Sequence, residues 1–160
     1  MTDRVRLRTE TPGDQPFLLE LFIDVRAGEF AALEMPAAQK SEVLRLQFRA
    51  QSSHWQTRYP QMCREIIAID GNAAGRLYTD TVGDVQHVVD ISLLASQCGQ
   101  GIGTALLREL QRQTTARGGH MTLHVAMSNP AQRLYDRLGF RRSEKIDSDD
   151  IYQTMIWKPA

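Results

Sequence analysis

Cysteine is scarce. The 160 residues hold two, Cys63 and Cys98, too few for a disulfide framework and not spaced as metal ligands, which fits a reducing cytoplasm. No unbroken apolar run approaches the roughly 18 residues of a membrane span, and the opening MTDRVRLRTE lacks the apolar core of a secretion signal. A cytoplasmic protein without a membrane partner is expected. An excess of one charge is also missing, since 19 Lys+Arg balance 19 Asp+Glu. That removes the global field by which a protein attracts nucleic acid or an anionic membrane surface. Repeats, low-complexity tracts and Pro/Gly/Ser linkers are absent too. At roughly 150 residues per domain, one domain over 1–160 is expected.

What is present is ordinary in amount and uneven in placement. Hydrophobic residues make up 42% and charged residues 24% of the chain, as in packed globular domains. Residues 97–142 carry 7 basic and 2 acidic side chains, against 10 and 13 in residues 1–96. Arg108, Arg112, Arg117, Arg133 and Arg137 belong to that basic segment. Taken singly they read as solvated helix-surface residues, with no interleaved aromatics to suggest nucleic-acid binding.

Periodicity orders the chain as β-α-α-β-β-β-α-β-α-β-β, a mixed α/β domain. Val5 to Arg8 alternates like a strand, and Thr11-Pro12-Gly13-Asp14 is a helix entry with Pro16 in the first turn. Phe17, Leu18, Leu21 and Val25 then recur at helical spacing, and 37–59 is helical with a weaker period. From Glu65 the pattern is of strands, turning at Asp70-Gly71-Asn72 and again at Val82-Gly83-Asp84. A long strand over 85–95 places Val85, His87, Val89, Ile91 and Leu93 on one face, and Gln86, Val88, Asp90, Ser92 and Leu94 on the other. A helix after Gly103 ends near Gly118-Gly119. The strand His120–Met127, a short helix through Ala131, Leu134, Tyr135 and Leu138 stopped by Gly139, and a last strand Tyr152–Trp157 complete the order.

The strand at 85–95 runs through Ser96-Gln97-Cys98-Gly99-Gln100-Gly101-Ile102-Gly103-Thr104 into a helix. A glycine-rich turn at a helix N-terminus presents backbone N–H groups to an anion at the positive end of the helix dipole. Glycines let the backbone approach phosphate oxygens without obstruction by Cβ. The alternative is a turn that only reverses the chain. A Walker A loop would need Gly-Lys-Ser/Thr, which is missing, and a dinucleotide fingerprint would need an acid near the end of the next strand, where 120–127 has none.

The sequence resembles the GCN5-related N-acetyltransferase (GNAT) superfamily. Its acetyl-CoA motif, a strand followed by Gln/Arg-x-x-Gly-x-Gly/Ala and a helix, is similar to Asp90-Ile91-Ser92-Leu93-Leu94 and Cys98-Gly99-Gln100-Gly101-Ile102-Gly103. Its second motif, Asn-x-x-Ala-x-x-Leu-Tyr-x-x-x-Gly-Phe, is similar to the run from Asn129 through Ala131, Leu134 and Tyr135 to Gly139-Phe140, with one residue less between Asn and Ala. The resemblance covers almost the whole chain and is weakest over 27–63.

The resemblance implies a GNAT fold, a central mixed sheet flanked by helices with a splay between the two motif strands. It implies transfer of acetyl from acetyl-CoA, as co-substrate, to the primary amine of a small-molecule or peptide acceptor by direct attack, with no metal. A non-catalytic acyl-CoA-binding sensor is the alternative. The cofactor would be held by the backbone of Leu93 and Leu94, by the loop Cys98, Gly99, Gln100, Gly101, Ile102, Gly103 and Thr104, and by Asn129, Ala131 and Tyr135. Tyr135 matches the family tyrosine that serves the departing thiolate, or it simply packs with Leu134 and Leu138. His124 and Asp90 are the candidate bases, with His87 a third, and each has a structural reading as a hydrogen-bonded polar group. Cys98 stands where the family usually has Gln or Arg. It is a tolerated small residue or, at a helix N-terminus, a reactive thiol. Trp55, Tyr59, Glu34 and Glu42 are candidates to line the acceptor site, and dimerisation, common in the superfamily, leaves no mark in the sequence.

Overall fold

The computed structural model describes residues 4–126, 129–143 and 152–160. The elements follow the expected order: β1 (Val5–Thr9), α1 (Gln15–Ala31), α2 (Ala37–Arg58), β2 (Cys63–Ile69), β3 (Asn72–Val82), β4 (Val85–Leu93), α3 (Ile102–Ala116), β5 (His120–Ala126), α4 (Gln132–Arg137), β6 (Arg141–Arg142) and β7 (Tyr152–Trp157). Two short 3-10 turns, Pro12–Asp14 and Ala95–Gln97, precede α1 and follow β4. The strands are hydrogen-bonded in the order β1-β2-β3-β4-β5-β7-β6. β1 and β2 are antiparallel, β4 and β5 parallel, and β7 antiparallel to both β5 and β6, so the sheet is mixed as expected.

The chain divides into two compact units, residues 2–77 with 92–98, and residues 78–91 with 99–160. In the first, Thr11 enters α1 as read from the sequence. The backbone N–H of Thr11 donates to the Asp14 carboxylate at 2.8 Å and the Asp14 N–H returns to the Thr11 carbonyl at 3.0 Å. The carboxylate also takes two hydrogen bonds from the Arg8 guanidinium, at 2.7 and 2.9 Å. Leu18, Leu21 and Phe22 of α1 are buried at the i, i+3, i+4 spacing of a core-facing stripe. α2 buries only Leu44 fully, which is why its period was weak in the sequence. Ile66, Ile67, Ala68 and Ile69 of β2 are all buried. Asp70 and Gly71 turn the chain with φ of 51° and 82°, the paired positive values of a two-residue hairpin turn.

In the second unit Met121, Leu123 and Val125 of β5 are buried and alternate with more accessible His120, Thr122 and His124. Ile102, Leu106, Leu107 and Thr114 of α3 are buried, and α3 packs on β5. α3 closes through Gly118, φ 73°, and the Gly119 N–H reaches back to the Thr114 carbonyl at 3.0 Å. Gly139, φ 91°, ends α4 in the same manner, with the Phe140 N–H on the Tyr135 carbonyl at 3.0 Å.

Two expectations about boundaries are corrected. β4 ends at Leu93 rather than 95, because the Leu94 N–H turns to the Ala74 carbonyl at 2.9 Å and Ala95–Gln97 forms a 3-10 turn. The two-faced alternation expected along β4 is clear only from Val85 to Val88, beyond which every residue to Leu93 is partly accessible. α4 is shorter than its apolar spacing suggested, with Ala131 and Leu138 as its caps. The expected strand residue Met127 lies outside the described residues.

Candidate active site

The parallel ladder between β4 and β5 runs from Val85↔His120 to Val88↔Leu123. Both strands continue past it, to Leu93 and Ala126. The two motif strands therefore pair at one end and part at the other. The residues after the parting on β4 include Asp90, and the first on β5 is His124.

After β4 and its 3-10 turn, the loop enters α3 through Gly99, φ 78°, and Gly101, φ 81°, the latter capping the helix. Both are left-handed positions that cost a residue with Cβ roughly 1–2 kcal/mol. A Cβ built on either would meet nothing within 4 Å, so these glycines answer to backbone conformation and leave open space beside the loop. The first bond of α3 runs from the Ala105 N–H to the Gly101 carbonyl. The N–H groups before it, from Ile102 to Thr104, have no intrahelical acceptor by helix geometry. Dipole, glycines and open space fit a diphosphate.

Ahead of the loop the chain is tied down from α1. The Asp24 carboxylate accepts the Ala95 N–H at 2.7 Å, at the start of the 3-10 turn. Sequence reasoning missed Asp24, whose partner is 71 residues away. The exposed Cys98 thiol donates to the carbonyls of Leu94 at 3.5 Å and Leu93 at 3.8 Å. Of the two leucines expected to contact the cofactor, Leu94 thus has its N–H on Ala74 and its carbonyl on Cys98.

Tyr135 on α4 is buried, with its ring edge-on to Phe140 at 5.8 Å between centroids. Burial, and then the negative charge of Asp90, push its phenol up to about 12. The phenol therefore keeps its proton at neutral pH. Asp90 is thus near enough for its charge to act on the phenol. Asn129 accepts the Ala131 N–H on Oδ1 at 2.9 Å, a side-chain bond that starts α4.

His124 lies elsewhere. By the pleat it shares a face with Thr122 and His87, opposite to Gln86, Val88 and Asp90. Its ring stands 4.9 Å from that of His87, tilted by 59°. His87 Nδ1 lies 2.8 Å from Thr122 Oγ1, and His124 Nδ1 lies 3.0 Å from Thr154 Oγ1. The two candidate bases are therefore separated, one with its charge acting on the tyrosine and one in a pair of histidines. Thr154 gave no signal in the sequence, because a strand register cannot be read from one strand alone.

Of the residues expected around an acceptor, Trp55 and Tyr59 each carry an arginine over the ring. The Arg76 guanidinium, buried in β3, sits 4.8 Å over the Trp55 ring and donates to Gln51 at 3.1 Å. Tyr59 carries Arg58 over its ring at 5.0 Å, and Glu34 and Glu42 are exposed. Among the described residues no set of three or more His, Cys, Asp or Glu is placed to hold a metal ion. Among them, too, no helix is long and apolar enough to cross a membrane.

A strand, a glycine loop on a helix N-terminus and a parting of parallel strands define an α/β protein with an arrangement that fits a phosphate-bearing ligand. Comparison with known proteins gives the family. The sequence model of the acetyltransferase (GNAT) family matches residues 29–140, and the chain belongs to that family. An uncharacterized N-acetyltransferase of Methanocaldococcus jannaschii is 33% identical over 109 residues, 63% of this chain and 69% of that one. The fold is similar to that of the PaiA N-acetyltransferase of Thermoplasma acidophilum, solved in complex with coenzyme A, at a TM-score of 0.71 and 16% identity over 99% of this chain and 100% of that one. It is also similar to the ribosomal-protein-S18-alanine N-acetyltransferase of Escherichia coli, at a TM-score of 0.58 and 21% identity over 95% and 90% of the two chains. The protein is an acetyltransferase with acetyl-CoA as its co-substrate.

Proposed function

We propose that residues 1–160 act as one N-acetyltransferase domain that moves acetyl from acetyl-CoA to a primary amine by direct attack. The family match at 29–140 includes parts of both compact units, which supports a single functional domain. In this reading the amides of Gly99 to Thr104 bind the diphosphate, and Asn129 and Ala131 position the rest of the co-substrate.

The amine must lose a proton to attack the thioester carbon, and the departing sulfur must gain a hydrogen-bond donor. His124 takes the first task and Tyr135 the second. The single observation behind this division is the buried Tyr135, held protonated by its surroundings and by Asp90. A phenol so placed is a donor throughout the neutral range. Asp90, whose negative charge acts on that phenol, is in this reading not the base. Cys63 and Cys98, both exposed as thiols, support a cytoplasmic reading.

A panel of amines assayed by mass shift with acetyl-CoA tests the activity, and Tyr135→Phe tests the division of labour. The phenylalanine variant should lose about 100-fold in kcat while calorimetry finds its acetyl-CoA affinity unchanged. Full activity in that variant would remove Tyr135 from the chemistry. Acetyl-CoA binding without turnover on any amine would instead point to an acyl-CoA-binding sensor.

A further inference from the structure

We propose that Thr154 on β7 is a positioning residue that holds His124 as its Nδ1–H tautomer, leaving Nε2 as the atom that accepts the acceptor's proton. This rests on the reading of His124 as the base. A neutral imidazole carries its proton on one nitrogen and a lone pair on the other, so the partner of one nitrogen decides what the other can do.

The geometry that carries the inference is a repeated arrangement. His124 and Thr154 are direct partners in the antiparallel ladder of β5 and β7, with Nδ1 and Oγ1 3.0 Å apart. His87 and Thr122 are direct partners in the parallel ladder of β4 and β5, with Nδ1 and Oγ1 2.8 Å apart. Each histidine is thus held through Nδ1 by a threonine on the neighbouring strand. The backbone under His124 is pinned by buried Leu123 and Val125 on either side, while the ring itself is exposed. Its Nδ1 is turned into the sheet towards Thr154, so Nε2 is the nitrogen left for a substrate.

A hydroxyl oxygen has lone pairs and takes an N–H at any time, whereas an Nδ1 lone pair would need the hydroxyl hydrogen and would put the imidazole proton on Nε2. Only the first arrangement leaves His124 able to accept at Nε2. In that step the amine's N–H bond breaks, its electron pair stays on nitrogen, and the proton moves to Nε2 to give an imidazolium that keeps both N–H bonds. The ionisable groups on the same face are His120 on β5, His87 from β4, Tyr152 one pleat from Thr154 on β7, and Arg141 of β6, the partner of Ile156. None of them belongs to the pair of atoms that fixes the tautomer.

The experiment uses the full chain labelled with 15N-histidine, read by long-range 1H–15N correlation at a pH where His124 is neutral, alongside steady-state kinetics. Wild type and Thr154→Ser should show the Nδ1–H pattern. Thr154→Val, close in shape but without the hydroxyl, should move His124 towards Nε2–H and lower kcat about tenfold with KM for acetyl-CoA unchanged; serine restores both. An Nε2–H pattern in the wild type, or a valine variant that keeps both tautomer and kcat, overturns the assignment to Thr154. If His124→Ala keeps wild-type kcat, His124 is not the base. That outcome sinks the underlying reading through kinetics, whereas the tautomer spectrum tests Thr154 on its own.

Discussion

Asp14 shows how much one carboxylate can organise. It accepts from the Thr11 backbone and hydroxyl and from both terminal nitrogens of Arg8, joining β1 to the start of α1. The Arg8 guanidinium, then the Thr11 N–H, hold its carboxyl well below the usual carboxylate range. A group whose folded-state pKa is depressed adds stability above its unfolded value, about 3.9 for aspartate, and that stability fades as pH falls further. Arg8 is 45% exposed, so solvent screens the pair and the capping bonds carry most of the effect. Asp14→Ala should cost about 1–2 kcal/mol near pH 6, with the gap to wild type narrowing below about pH 4. Urea titrations across that range check it, and a pH-independent gap would assign the loss to packing. Thr11 to Asp14 was legible as a helix entry because every part lies within four residues. Arg8, three residues upstream in a strand, needed the fold to bring it back.

Elements follow the same division between local and distant causes. Turn chemistry at Asp70-Gly71, Gly118 and Gly139 and the alternation of β5 are local, and all were readable. The end of β4 was not, since it depends on Leu94 bonding to Ala74 and on Asp24 reaching Ala95 from α1. The pairing of His124 with Thr154 was hidden likewise, because it needs β7 beside β5 in one register. The glycine loop was readable as a turn into a helix from its residue types, and its structure adds that Gly99 and Gly101 face open space. That suggests a controlled comparison. Gly101→Ala and Gly71→Ala both put an alanine at φ near +80° with no clash, and each should lose roughly 1 kcal/mol of stability. Only Gly101→Ala should also weaken acetyl-CoA binding, by about tenfold, as a loss of roughly 1.4 kcal/mol in the diphosphate grip would give. Thermal melts and calorimetry on the two variants separate these effects. Equal affinities would mean that the loop only turns the chain.

For the whole molecule, charge is informative through its placement, since the total is zero. The seven arginines of 97–142 are Arg108, Arg112, Arg117, Arg133, Arg137, Arg141 and Arg142, all exposed. Some are engaged locally: Arg112 with Glu109 at 2.6 Å, Arg117 with Gln86 at 2.6 Å, and Arg142 with Gln132 at 3.1 Å. Only the first of these partners carries a charge, so most of the surplus is left to act on an anion in solution. Coenzyme A carries several phosphate charges, which the proposed site would bring to the loop that opens this segment. Attraction between exposed charges falls off over about 10 Å in 0.1 M salt and about 3 Å in 1 M, whereas amide bonds at the loop are little affected. KM for acetyl-CoA should therefore rise several-fold between about 0.05 and 0.5 M NaCl with kcat nearly constant. Replacing Arg133 and Arg137 together by Gln should flatten that dependence, because the attraction is a sum over exposed charges and both of these are exposed on α4. A KM indifferent to salt would return all seven arginines to the role of solvated surface.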